Sequence, residues 1–193
     1  MDEIREFTKE MSTMDAAQLQ EALPAILEKV REVGFTVLVK DPEAKKLIPN
    51  IREKIKTMES SDLEALMPIV LPVLLDGMTE LISASENAKD ELEDMDNLTI
   101  NLVVPEFMTI AITVQDGAFK AETASEGSEP DLKIEMDKEV WFKLVKGEMD
   151  PVSGYMSGDL HMIGEITKAM QLRGLFELLS DEYDFDIGGF AGM

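Results

Sequence analysis

The sequence predicts an α+β protein: an antiparallel sheet of about five strands covered by helices, preceded by an N-terminal helical region. Three observations predict it. Apolar residues recur at helical spacing from the first residues to about Ala88. Beyond Asn97 the spacing changes to two. Helical spacing then returns after Asp137.

Asp2 to Met11 fits a first short helix. Asp15 is placed to cap a second, in which Leu19, Leu23, Ile26, Leu27 and Val30 share a face and Gly34 lies beyond the end. Phe35 to Val39 alternates weakly and fits either a strand or a buried helical turn. Pro42 to Met58 fits a third helix with the stripe Leu47, Ile48, Ile51 and Ile55. Ser61-Asp62-Leu63-Glu64 has a capping-box pattern and opens a helix running to about Ala88. Within it Met67 to Leu75 is apolar on every face, a property of a helix covered all round. Asp90 to Asp96 is a charged joint.

Leu98, Ile100, Leu102 and Val104 alternate with Thr99, Asn101 and Val103 as a first strand. After a turn at Pro105-Glu106, Met108, Ile110, Ile112 and Val114 repeat the pattern. Gln115-Asp116-Gly117 fits a hairpin turn, Ala118 to Thr123 a third strand, Ser125 to Pro130 a polar loop, and Asp131 to Met136 a fourth strand. Asp137 caps a helix in which Val140, Trp141, Leu144 and Val145 share a side, ended by Gly147. Asp150-Pro151 starts another short helix that ends near Gly158. Leu160 and Met162 belong to a fifth strand, and Gly164 turns the chain into a last helix. After Ser180 an acidic tail keeps Phe185, Ile187 and Phe190, which suits a movable lid over an apolar opening.

Charge and composition narrow the function. Of 193 residues, 45% are hydrophobic and 30% charged, enough to fill and coat a core. Lys plus Arg number 18 and Asp plus Glu 40, a net charge of −22. That field repels phosphate backbones and anionic lipid surfaces, so nucleic acid is not an expected partner. There is no cysteine, hence no disulfide and no thiolate metal site. The acidic first residues are unlike a signal peptide, and the apolar run Met67 to Leu75 is shorter than a membrane span. A cytoplasmic location with membrane contact no more than transient is the expectation.

No catalytic constellation stands out. His161, the single histidine, alternates away from the core side and has no orienting motif around it. No Gly-x-Ser-x-Gly elbow and no phosphate-binding loop occur. Asp184 to Gly189 begins like a calcium loop but lacks the closing Glu. The expectation is therefore no enzyme, no metal and no cofactor. One stretch runs against the overall acidity. Lys40, Lys45, Lys46, Arg52, Lys54 and Lys56 face only Asp41, Glu43 and Glu53, as a solvated helix or as a docking patch.

The run from Asp131 to Leu172 carries an ordered set of pieces. Asp131 to Met136 forms the strand, and Glu139 to Gly147 the helix. Gly147-x-Met149-x-Pro151, Gly158-x-Leu160, Gly164 and the helix with Ala169-Met170-Gln171-Leu172 follow. In this order and at these separations they resemble the sterol carrier protein type 2 family, and with the upstream strands the resemblance spans Leu98 to Leu179. It divides the chain into a helical region at residues 1–60, which carries no such likeness, and a lipid-binding domain at residues 61–193.

The resemblance implies an apolar tunnel between sheet and helices and no catalytic residues. Its expected lining is Trp141, Phe142, Met149, Tyr155, Met156, Leu160, Met162, Ile166, Met170 and Phe176. The implied ligand is a long-chain lipid: fatty acyl, isoprenoid or sterol-like. The 14 methionines suit such adaptable contact. The competing reading is an accessory subunit assisting a lipid- or quinone-metabolising enzyme, with a protein partner bound through the N-terminal helices.

Overall fold

The computed structural model describes residues 1–124 and 129–183, arranged in two compact units, Met1–Leu81 and Ile82–Met193. The tail with Phe185, Ile187 and Phe190, the calcium-like run from Asp184, and residues 125–128 of the polar loop lie outside the described residues. The division between them falls within a helix. A continuous helix contains no linker composition that would mark such a division.

The first unit is helical. Helix α1 (Asp2–Glu10) buries Ile4 and Phe7. Helix α2 (Ala16–Val33) opens with a full capping box: the Asp15 carboxylate accepts from the Gln18 amide, and the Gln18 side chain accepts from the Asp15 amide. Its stripe Leu19, Leu23, Leu27 and Val30 is buried. The ambiguous segment after Gly34 is one helical turn, α3 (Phe35–Leu38). Glu80 selects helix over strand there. Its carboxylate accepts from the Phe35 amide at 2.9 Å and from the Thr36 amide at 3.0 Å, satisfying donors that a helix start leaves free.

Helix α4 (Leu47–Thr57) starts later than Pro42. Asp41 intervenes by accepting from the amides of Glu43 and Ala44, which turns the chain into a 3₁₀ segment at Ala44–Lys46. The basic stretch is largely tied up internally. Lys46 pairs with Glu43, Lys56 with Glu53, and Lys54 donates to the carbonyls of Ser12 and Met14.

Helix α5 (Ser60–Ala84) begins before the predicted cap, with the Glu59 carbonyl accepting from Asp62 and Leu63. It is long and apolar enough, by length and composition, to cross a membrane, although much of it is buried. The uninterrupted apolar run is short, but the helix carries it on through Asp76 and Glu80. Helix α6 (Glu86–Glu93) follows a break at the wholly buried Ser85, whose hydroxyl accepts from the Ala88 amide. The predicted single helix to Ala88 and the charged joint from Asp90 are therefore two consecutive helices.

The second unit holds the sheet: β1 (Leu98–Val104), β2 (Met108–Gln115), β3 (Ala118–Thr123), β4 (Leu132–Glu135) and β5 (His161–Gly164). Their order is β3-β2-β1-β4-β5. Three pairings are antiparallel, as expected, while β4 runs parallel to β1. Period-two alternation identifies a strand and its inward face but not its neighbour or direction. The β2–β3 hairpin turns at Asp116 and Gly117, both at positive φ, as a two-residue turn of this twist requires. The register builds one apolar face. Ile100 stands between Ile112 and Leu132, and Leu102 between Ile110 and Ile134. Helices α7 (Lys138–Lys146), α8 (Pro151–Ser157) and α9 (Ile166–Tyr183) complete the unit.

Candidate lipid-binding site

Helix α9 packs on β1 and β4, and α6 packs on α9 and β3. The contact row of α9 is Ala169, Leu172, Leu175, Phe176 and Leu179, all buried. Phe176 meets Phe119 of β3 edge to face, with ring centroids 6.2 Å apart. Ser85 donates to Glu182 at 2.6 Å and fastens α6 to the last turn of α9. Phe176 is thus buried on the side of α9 that faces the sheet.

Helix α7 buries Val140, Trp141, Phe142 and Leu144. Phe142 packs edge to face on Phe107 of the β1–β2 turn at 5.7 Å, and the Lys138 ammonium lies over the same ring. Trp141 is 4% exposed, yet its Nε1 donor has no protein acceptor. Such a donor costs free energy unless something accepts its proton. Two acceptors among the described residues share this condition, Asn101 Oδ1 and Gln171 Oε1. Asn101 lies on the face of β1 opposite Ile100 and Leu102.

Between α7 and β5 the chain is shaped by turn and cap residues. Gly147 at φ 73° ends α7 and Gly158 at φ 83° ends α8. Asp150 caps α8 by accepting from the Ser153 amide, and Pro151 occupies the first helical position. A methyl group on Gly154 would lie 3.0 Å from Leu160 Cγ and 3.1 Å from Met149 Sδ, so these two side chains converge there. Asp131 ties both ends of the motif together. Its carboxylate accepts from the Thr99 amide, and its carbonyl from the Glu165 amide. Gly164, at φ 116°, approaches that carbonyl so closely that a Cβ would lie 2.1 Å away.

The ten predicted lining residues fall into three groups. Trp141, Phe142, Leu160 and Phe176 are buried. Met149 and Met162 are half-buried, Met162 on the apolar sheet face opposite Ile134. Tyr155, Met156, Ile166 and Met170 are exposed, Met156 at 82% and Met170 at 70%. Val152 and Ile163 are exposed beside them in sequence and were not among the ten. The spacing of Val152, Tyr155 and Met156, i, i+3 and i+4, was the available signal. His161 is exposed, on β5 opposite Glu135. Among the described residues no cluster of His, Asp or Glu is arranged to hold a metal.

No curated protein matches the chain. Solved structures similar to it include a protein described as UbiJ-SCP2 ubiquinone synthesis protein, at 15% identity, covering 59% of this chain and 98% of that one, with a TM-score of 0.44. Sterol carrier protein 2 from Yarrowia lipolytica, in its apo form, has 18% identity over 53% of this chain and 90% of that one, at 0.40. The inverting sec-alkylsulfatase Pisa1 from Pseudomonas sp. covers 83% of this chain but 29% of its own length, at 15% identity and 0.43. The model of the SCP-2 sterol transfer family matches residues 78–177, from late α5 through the sheet to α9. With more than half of its residues matched in that order, the chain belongs to the SCP-2 sterol transfer family.

Proposed function

We propose that this protein binds a long-chain hydrophobic ligand, fatty acyl, isoprenoid or sterol-like, and transfers it without catalysing a reaction. Membership of the family over residues 78–177 carries this reading. In it, Trp141, Phe142, Leu160 and Phe176 form the inner lining, Met149 and Met162 follow, and Tyr155, Met156, Ile166 and Met170 form the rim. Each buried methylene of the ligand contributes about 0.8 kcal/mol, so chain length dominates affinity. The unpaired Trp141 donor supports a ligand that ends in an acceptor oxygen. The reading includes a cytoplasmic location, transient membrane contact, and no metal or cofactor.

Mass spectrometry of an organic extract of the natively purified protein tests it. A long-chain lipid in near-equimolar amount is the expected result. An extract free of lipid, together with no saturable uptake of added oleic acid, overturns the reading.

A second reading is an accessory subunit of a lipid- or quinone-metabolising enzyme. The exposed apolar side chains Tyr155, Met156 and Met170 favour it.

A further inference from the structure

The sheet ends in two unlike edges, β3 on one side and β5 on the other. β3 carries Lys120 and Glu122, exposed and 2.8 Å apart, the kind of charge that guards an edge against further strands. β5 reads His161-Met162-Ile163-Gly164, with no Lys, Arg, Asp, Glu or Pro. Its Ile163 is 61% exposed. Nothing in the sequence of β5 keeps another strand away.

The pairing with β4 fixes which backbone groups are free. Opposite residues of an antiparallel pair alternate between those that exchange N–H···O bonds and those that do not. The Glu165 amide donates to the Asp131 carbonyl at 2.9 Å, and the register continues as Ile163 with Lys133 and His161 with Glu135. These residues direct their backbone groups at β4. Met162 and Gly164 alternate with them and hold theirs on the outer side. Leu160, next in that outer series, donates to the Gly154 carbonyl at 3.0 Å, so α8 closes the edge there. Among the described residues nothing pairs with the outer N–H and C=O groups of Met162 and Gly164. Such groups are a template for an added strand.

Charge decides what is added. The protein carries −22 overall, so a second copy would bring the same sign against it. Asp159 and Glu165, both exposed, flank β5. The cations nearest in register and sequence are engaged: Lys133 pairs with Glu135 at 2.7 Å, and Lys168 donates to the Asn97 carbonyl. Ile163 stands in the row of Lys133 and Asn101, on the sheet face away from α9. A basic extended segment gains from the backbone edge, from Ile163 and from the flanking acids.

We propose that β5 pairs with an extended basic segment of a partner protein, which adds a strand to the sheet. Its backbone bonds to Met162 and Gly164, an apolar side chain lies beside Ile163, and Lys or Arg residues face Asp159 and Glu165. The inference stands apart from the lipid reading, since it uses the backbone of β5 and the sheet face away from α9.

Fluorescent peptides of alternating Lys and Val test it on the full chain. The Lys/Val peptide is expected to bind saturably at one per chain, and a Glu/Val counterpart not to bind. A third peptide keeps the Lys and Val side chains but is N-methylated throughout, so it cannot donate to a strand. Simple attraction between opposite charges would make it bind as well as the first. Strand addition makes it bind about tenfold more weakly. Hydrogen exchange locates the contact: the Met162 and Gly164 amides slow about tenfold in the saturated complex, and those of β3 do not change. Ile163→Thr keeps the charge and the β-branched shape and weakens binding about threefold. Equal binding of the N-methylated peptide overturns the proposal. So does unchanged exchange at Met162 and Gly164, undiminished binding by the Ile163→Thr variant, binding of the Glu/Val peptide, or binding of neither peptide. Self-association of the protein that the Lys/Val peptide reverses, seen by sedimentation, overturns it in favour of a second copy.

Discussion

Trp141 is the only tryptophan, so its fluorescence reports on one place in the second unit. Its ring is buried on α7 while its Nε1–H lacks a protein acceptor. Trp141→Phe keeps an aromatic ring and removes the donor. If a ligand oxygen accepts that proton, the substitution weakens binding of a fatty acid by about 1 kcal/mol, roughly fivefold. Binding of an alkane of equal length is expected to be unchanged. Equal affinities of parent and variant for the fatty acid would show that the donor does not face the ligand.

Gly164 tests the backbone of the same unit. At φ 116°, with the Asp131 carbonyl where a Cβ would stand, no other residue fits without displacing β5 from β4. Gly164→Ala is expected to cost about 3 kcal/mol, read from urea unfolding followed at Trp141. A loss within 0.5 kcal/mol, the range of ordinary surface substitutions, would mean that the close approach is relieved by a small shift.

At the scale of the element, α3 depends on a carboxylate from another helix of its unit. Burial alone pushes the Glu80 carboxyl up, but hydrogen bonds from the Thr36 and Phe35 amides and the Thr36 hydroxyl overcome it. The net shift is downward from its ordinary value of 4.5. A carboxyl lowered on folding stabilises the folded state fully above its unfolded value and loses that effect as pH falls through its folded value. Protection of the Phe35 and Thr36 amides against hydrogen exchange is therefore expected to drop as pH falls below 4.5. Glu80→Ala is expected to lower it at neutral pH by about 1 kcal/mol, the typical worth of a helix cap. Protection independent of both pH and residue 80 would contradict the capping role. Gly77 gives the same junction a steric limit, because a methyl group there would stand 2.5 Å from the Phe35 ring.

These junctions explain what the sequence reveals and what it conceals. Strands β1 to β4 are legible because apolar and polar residues alternate along them, and α2 because Asp15, Gln18 and its stripe agree. The parallel pairing of β4 with β1 is not legible, since alternation is the same for either neighbour. The helical state of Phe35–Leu38 is fixed by Glu80, forty-odd residues away, and no local pattern announces it. The same limit applies to the site. Spacing shows that Val152, Tyr155 and Met156 share a face of α8, but not whether that face meets anything. Trp141 and Phe142 are buried, while Met156 and Met170, equally apolar in sequence, are exposed.

At the scale of the whole molecule, the chain joins a helical unit to a unit that contains most of the family match. Its net charge of −22 sets the long-range behaviour, and its apolar surfaces set the short-range chemistry. The central claim is that the second unit holds a long-chain lipid. A titration with cis-parinaric acid, following both quenching of Trp141 and the emission of the probe, tests it most directly. Quenching that saturates at one probe per chain and is reversed by oleic acid is the predicted result. Quenching without a plateau, or a plateau that oleic acid does not displace, would contradict it.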